Sequence, residues 1–295
     1  MPKDDPMRGI ILAVCATMLF ATSDTIAKYL SNSLPVVEFI WIRYVLFLLM
    51  ALGLASRVRL RVLRPRAPRL QLLRGVCVVA SSVLFVYGVH SMTMAQATTI
   101  SFLSPLLVTI LSIPLLGETV GIRRWAAVGV GLLGMLVVVR PGLGSFQPAA
   151  MFGLASAVAW ALALVITRRI AGTDTPQTTM LISSAVGSAA LSVLLPFEAT
   201  WPTLWQLALS LVMGVVASVG QWLVILAHRV APASTLAPLF YGQLIWATLA
   251  GLLVFGNLPD TWTIFGAAII ILSGLYTAQR ERVRRREAAR SNAIA

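Results

Sequence analysis

Four charged residues lie inside long apolar stretches of the chain: Asp24, Lys28, Glu38 and Arg43. A charge near the centre of a membrane-spanning helix costs about 3 kcal/mol by insertion scales, so each one needs a structural or functional reason. Phe20 precedes Asp24 and Lys28 by four and eight residues, which places all three on one face of a helix. We predict that this face lines a cavity and that Asp24 and Lys28 form an ion pair near the helix end.

Arg43 is the deepest of these charges, at roughly 12 Å from the start of its helix. Glu38 and Arg43 are five residues apart, about 140° around a helix, so they cannot point at the same place. We expect Asp24 and Arg43 to meet across the first two helices. Arg43 would then exchange its carboxylate partner for a polar or anionic substrate group, or the pair would simply lock helix packing.

Several uncharged residues complete the predicted binding surface. Polar side chains that could hydrogen-bond a solute in an apolar pocket are Tyr87, Ser101, Gln221 and Tyr241. Phe20 and Trp160 could stack on a flat ring, and each of these residues could equally serve helix packing alone. Lys28, Glu38 and Glu118 are predicted to act as gates or ion-pair partners.

The elements that carry these residues are long apolar segments. Of 295 residues, 58% are hydrophobic and 11% charged, with a mean hydropathy of +0.88, which favours a lipid environment. A spanning helix needs about 20 mostly apolar residues, and ten segments qualify. They are 9–29, 35–56, 70–92, 94–116, 123–139, 149–171, 176–198, 203–227, 231–256 and 261–279. We therefore predict an all-α integral membrane protein with ten transmembrane helices.

The basic residues are distributed unevenly between the two membrane faces. Of the 23 lysines and arginines, all but Lys28, Arg43 and Arg140 fall on the side that holds both termini. The positive-inside rule then predicts that both termini lie on the cytoplasmic side of a bacterial inner membrane. Because the net charge of +13 is spread over several loops, it does not indicate nucleic-acid binding.

The sequence also repeats itself weakly. Phe20 to Lys28 resembles Trp160 to Arg168, 140 residues later, and 95–99 resembles 231–235. Leu116-Gly117-Glu118 resembles Phe255-Gly256-Asn257. We predict two five-helix repeats, 1–140 and 149–279, followed by a cytoplasmic basic tail, 280–295. An odd number of spans in each repeat makes the two repeats inverted.

Prolines interrupt one span in each repeat. Pro105 and Pro114 lie in span four and Pro238 in span nine, where each removes a backbone hydrogen bond. Paired interruptions of this kind point to a substrate site in transporters, although simple packing kinks are the alternative.

The ten spans, the Gly117-Glu118 end of span four and the glycines of span five resemble the EamA-type branch of the drug/metabolite transporter superfamily. Three shorter patterns resemble carriers that take up riboflavin or S-adenosylmethionine. They are Asp24 to Leu30, Glu38 with Arg43, and Leu258-Pro259-Asp260 with Thr263. The second repeat has Asn257 where the first has Glu118, a departure that weakens any shared role for that position.

The resemblance implies a secondary transporter for a small organic metabolite, with uptake of riboflavin expected first and S-adenosylmethionine next. Export of amino acids or related metabolites is the alternative. An integral-membrane enzyme is a remote one, because the sequence has no Walker loop, no nucleophile-base motif and no metal-ligand spacing. We expect no cofactor, no metal and no nucleic-acid partner. The expected partners are the solute and membrane lipids, and the chain is expected to be a monomer or homodimer.

Overall fold

The computed structural model describes residues 6–55, 65–117, 121–140, 148–170, 173–198, 200–231 and 233–294. These ranges form helices and no strand. The helices are α1 (Pro6–Leu30), α2 (Val36–Ala55), α3 (Pro68–Ser91), α4 (Met94–Ser101), α5 (Ser104–Leu116), α6 (Ile122–Val139), α7 (Ala149–Ile170), α8 (Pro176–Glu198), α9 (Leu204–Val230), α10 (Ala233–Phe240), α11 (Gln243–Phe255) and α12 (Thr261–Ile294).

Within these ranges, ten segments are long and apolar enough to cross a membrane, which confirms the predicted number of spans. Helices α4 and α5 together make span four, and α10 and α11 make span nine. Ten spans return the chain to its starting side. We call the side that holds both termini the terminal face, and the opposite side the far face.

The two halves of the chain interlock. Each of the most extensive packing contacts joins a helix of the first half to one of the second: α1 with α9, α3 with α7, α6 with α12 and α2 with α8. Helices α1, α3, α7 and α9 are spans one, three, six and eight, so α1 is equivalent to α7 and α3 to α9. The α1–α9 contact therefore corresponds to the α7–α3 contact, which gives the bundle a pseudo-two-fold arrangement. Sequential neighbours α1 and α2 have few contacts. The core therefore forms between the halves.

Spans four and nine are both broken, as predicted, and the breaks are equivalent. Adding 139 to the bounds of α4 and α5 gives the bounds of α10 and α11. The prolines, however, are not equivalent: Pro105 lies in the first turn of α5, whereas Pro238 lies inside α10. Pro114 lies inside α5 without interrupting it. A shared proline position is therefore not the cause of the paired breaks.

The broken spans also end alike. Gly117 and Gly256, 139 residues apart, terminate α5 and α11 with φ angles of 69° and 67°. Glycine adopts this left-handed conformation without the steric cost of a Cβ atom. The similarity of these two ends agrees with the sequence repeat. Glu118 lies outside the described residues.

Candidate functional site

Asp24 is bound to the broken region of span nine. Its Oδ2 accepts a hydrogen bond from Nε2 of Gln243, the first residue of α11, at 3.1 Å. Among the described residues, Asp24 forms no ion pair with Lys28 or with Arg43, so the predicted pairing is wrong. Arg43 is too far away because α1 lies against α9 and α11 and has little contact with α2, and the Lys28 ammonium is bound to the Met92 carbonyl instead.

Arg43 nevertheless belongs to the same region of the bundle. It lies beyond ion-pair distance from Asp24 but close enough to interact electrostatically with that carboxylate. Its backbone packs closely on α9, because a Cβ atom added to Gly214 would be 3.2 Å from the Arg43 Cα. The adjacent Tyr44 places its hydroxyl 3.1 Å from the Ser82 Oγ. The Asp24 carboxylate and the Arg43 guanidinium therefore interact electrostatically without forming an ion pair.

Lys28 connects the halves near the far face. Its side chain is buried, and Nζ donates a hydrogen bond to the Met92 carbonyl. The ammonium also lies 5.0 Å from the centroid of the Phe255 ring at the end of α11. Such a cation over an aromatic face is favourable, especially when water is excluded. Lys28 thus has partners other than a carboxylate.

Glu38 makes a second connection at the far face. Its buried carboxylate accepts hydrogen bonds from the Thr200 N–H at 3.0 Å and the Thr200 hydroxyl at 3.1 Å. Nearby, Gln206 Nε2 donates to the Ser33 Oγ at 3.1 Å. Glu38 is therefore satisfied by neutral donors from the second half, and its role as a gate or ion-pair partner stays a prediction.

A third cross-half contact, the Arg140–Asp260 ion pair, lies at the same face. Partial burial raises the pKa of Asp260, but hydrogen bonds from Thr263 and the Arg140 charge together lower it below its ordinary value. The far face is thus held together by several polar contacts between the halves.

Two aromatic residues meet where the broken spans cross. Phe102 and Tyr241 occupy the equivalent breaks, and their ring centroids are 4.9 Å apart with an interplanar angle of 75°. A cavity of about 450 Å³ lies beside them, lined mainly by apolar side chains. Its lining includes Phe102, Pro105, Pro238, Tyr241, Gly274 and Gln279. Since Gln279 lies at the end of span ten, the cavity is on the terminal-face side of the breaks.

The remaining predicted residues are distributed more widely. The Phe20 ring packs near Gly220 of α9, and the Ser101 hydroxyl donates to the Ala97 carbonyl of its own helix at 3.1 Å. Tyr87 packs on Phe152 with a centroid distance of 5.8 Å. Trp160 is 39% exposed on α7, and Gln221 is half-buried on α9. Their roles in binding stay predictions.

Sequence reasoning underrated three residues. Gln243 holds Asp24, Phe102 contacts Tyr241, and Gly274 lies against the Tyr241 hydroxyl. The repeat offset of 139, read from Gly117 and Gly256, would have paired Phe102 with Tyr241. No local pattern reports the other two contacts. In the described part of the chain, no three His, Cys, Asp or Glu side chains come together as metal ligands.

Comparison with known proteins agrees with this architecture. The sequence profile of the EamA-like transporter family matches twice, over residues 7–140 and 147–278. The chain belongs to the EamA-like transporter family. The two matches account for its two repeats of five helices.

Relatives of this EamA-like transporter are named for different substrates and directions of transport. An S-adenosylmethionine uptake transporter of Rickettsia bellii is 27% identical over 89% of this chain and 90% of its own length. A riboflavin transporter of Rhizobium johnstonii is 28% identical over 97% of this chain and 96% of its own length. A pseudopaline exporter of Pseudomonas aeruginosa is 28% identical over 90% of this chain and 94% of its own length.

A protein of known crystal structure superposes on this chain with a TM-score of 0.64 and is 18% identical to it. The match covers 93% of this chain and 98% of the other chain, and it shows a likeness of fold alone.

Proposed function

We propose that this EamA-like protein is a secondary transporter that moves a small organic metabolite across the bacterial inner membrane by alternating access. The observation that carries the proposal is the crossing of two equivalent broken spans, with Asp24 bound to the first residue of α11. Broken spans free backbone groups at membrane depth and let one half move against the other.

The proposed direction is uptake, and the proposed substrate is riboflavin, with S-adenosylmethionine next. Relatives of similar identity are named for each compound. Both compounds contain a flat heteroaromatic ring, which suits a cavity bordered by Phe102 and Tyr241. Because another relative is named as a pseudopaline exporter, export of an amino-acid-like metabolite is the second candidate.

Arg43 and Asp24 are proposed to bind the polar part of the substrate. The two residues do not form an ion pair with each other, and a ligand group that binds both charges would replace the electrostatic interaction between them. Lys28 and Glu38 are proposed to hold the far face closed, Lys28 through its contact with the Phe255 ring and Glu38 through the hydrogen bonds it accepts from Thr200. Release of these contacts would accompany opening toward that face.

The experiment is uptake in a bacterium that cannot synthesise riboflavin. Growth on micromolar riboflavin and saturable uptake of radiolabelled riboflavin are expected for the wild-type chain. Arg43→Met is expected to reduce uptake by about tenfold or more, since the loss of a charged hydrogen-bond partner costs about 1.5–3 kcal/mol. The same substitution at the exposed Arg69 is the matched control and should leave uptake unchanged.

Expression of every variant is measured in parallel. Normal uptake by Arg43→Met would remove Arg43 from the binding site. If the well-expressed wild-type chain takes up neither riboflavin nor S-adenosylmethionine, the uptake proposal is wrong, and efflux of labelled amino acids becomes the next measurement.

A further inference from the structure

We infer that the cavity beside Phe102 and Tyr241 is a subsite for an uncharged, planar heteroaromatic ring, and that Gly274 sets the size of ring it accepts. This inference rests on the proposed transport function and specifies which part of the substrate binds there. The polar part would lie toward Asp24 and Arg43. The ring would lie on the terminal-face side of the breaks.

The composition of the cavity selects an uncharged group. Apart from the Tyr241 hydroxyl and the Gln279 amide, its described lining side chains are apolar, and none carries a charge at neutral pH. A charged group placed there would lose its hydration without gaining an opposite charge. The volume of about 450 Å³ lies within the range of small-molecule sites, about 300–1,000 Å³.

The aromatic pair provides the recognition surface. Phe102 and Tyr241 meet nearly edge to face at 4.9 Å. A planar ligand that takes the place of one ring against the other keeps an aromatic contact, so little contact is lost on binding. Within the described residues, no acceptor receives a hydrogen bond from the Tyr241 hydroxyl, which leaves it available to a ring heteroatom.

Gly274 determines where the Tyr241 ring can lie. A Cβ atom added at residue 274 would be 2.1 Å from the Tyr241 hydroxyl oxygen, 3.2 Å from Cζ and 3.9 Å from Cε1. Even alanine would therefore displace the tyrosine, and the displaced ring would have to enter the cavity or move against Phe102. Removal of the hydroxyl oxygen would relieve most of this clash.

The subsite is also placed to influence conformational change. Phe102 and Tyr241 lie in the breaks themselves, and Gln243, two residues after Tyr241, binds Asp24. A ring that displaces Tyr241 would therefore act on the same short segment that holds the carboxylate.

The direct test measures binding of lumiflavin, which retains the isoalloxazine ring and lacks the polar side chain of riboflavin. Stacking on an aromatic side chain quenches flavin fluorescence, so titration of the purified full-length chain in detergent gives an apparent Kd. Tyr241→Leu should abolish saturable quenching. Gly274→Ala should weaken binding about tenfold or more, because the displaced Tyr241 ring would fill part of the cavity or move against Phe102.

A double substitution separates this geometry from general damage. Tyr241→Phe alone should change the Kd by about threefold at most, the effect of one neutral hydrogen bond. Combining it with Gly274→Ala should restore binding to within about threefold of Tyr241→Phe, since only the 3.2 Å contact with Cζ remains. Gly129→Ala is the matched control, because a Cβ atom there meets nothing within 4 Å.

The outcomes distinguish the subsite from the transport proposal. Saturable lumiflavin binding without uptake of riboflavin or S-adenosylmethionine would leave the subsite standing and overturn the transport proposal. Uptake together with unchanged lumiflavin binding in Tyr241→Leu would overturn the subsite alone. The subsite is also wrong if the wild-type chain does not bind lumiflavin, or if Tyr241→Phe fails to rescue Gly274→Ala.

Discussion

Asp174 joins the two halves at the terminal face through the start of α3. Its carboxylate accepts hydrogen bonds from the Arg66 N–H at 2.7 Å and from the buried Gln71 amide at 2.8 Å. A negative charge is favourable at a helix N-terminus, where backbone N–H groups lack helical partners. Partial burial raises the pKa of Asp174, but these hydrogen bonds, that of the Ala67 N–H and the Arg66 charge lower it overall.

We predict that Asp174→Asn lowers the free energy of unfolding at pH 7 by about 1 kcal/mol, reduced somewhat by solvent screening. The pKa of Asp174 in the folded protein lies below its ordinary value of 3.8. The charge of Asp174 therefore stabilises the fold fully above pH 3.8, and this stabilisation is lost as the pH falls through the pKa of the folded protein. The stability difference between wild type and Asp174→Asn should therefore decrease as the pH falls below 3.8.

Thermal unfolding in detergent at several pH values measures this difference. Glu198→Gln removes a carboxylate from an exposed position and serves as the control. A difference that is independent of pH would show that the Asp174 charge contributes nothing.

The buried polar side chains also show what spacing in the sequence can reveal. The apolar surroundings of Asp24, Lys28 and Glu38 identified them as residues that need partners. The spacing of Asp24 and Lys28 suggested an ion pair, whereas the partners of the three residues are Gln243, the Met92 carbonyl and Thr200. Asp24 and Gln243 are 219 residues apart, and no pattern within one helix encodes such a contact.

At the scale of the elements, the breaks in spans four and nine have different local causes. In span four, Pro105 cannot supply the backbone N–H that would bond to the Ser101 carbonyl, and the Ser104 hydroxyl donates to that carbonyl at 2.7 Å. In span nine the equivalent of Pro105 is Leu244, which has its N–H, yet the break occurs at the same place. The prolines correctly predicted which two spans are interrupted. They do not explain why the two breaks lie at equivalent positions.

We predict that Ser104→Ala costs about 1–3 kcal/mol, because it leaves the Ser101 carbonyl without a donor. In a Pro105→Ala background the new N–H can take over, so the same substitution should cost less than about 1 kcal/mol. Chemical unfolding of the four combinations in mixed micelles gives both values.

Ser112→Ala is the matched control. Its hydroxyl also donates to a carbonyl three residues earlier, at 2.9 Å, in a part of α5 where the backbone N–H of Ile113 is present. Equal costs for Ser104→Ala with and without Pro105 would contradict this account of the break.

At the scale of the whole molecule, the number of spans followed from the length of the apolar segments, and the repeat followed from short matched patterns. The packing of the helices did not follow from such local patterns. Helices α1 and α2 are adjacent in sequence but have few contacts, whereas α1 and α9 pack extensively. Helix pairing depends on how the two halves interlock, which a local pattern does not report.

The proposed orientation is a property of the whole chain, and we predict that both termini are cytoplasmic. A green fluorescent protein fused to the C-terminus should therefore fluoresce, and alkaline phosphatase fused there should be inactive. Fusions after Phe255, at the far face, should give the reverse pattern. Active alkaline phosphatase at the C-terminus would invert the assignment.

The interlocking of the halves has a consequence for ancestry. Helices α1, α2, α3 and α6 find their most extensive contacts in the other half, so a five-span chain alone would leave its main packing faces uncovered. A precursor that contained one half could be stable only as two copies inserted in opposite orientations. Fusion of two such copies would free each half from inserting both ways, and arginines could then accumulate on one face.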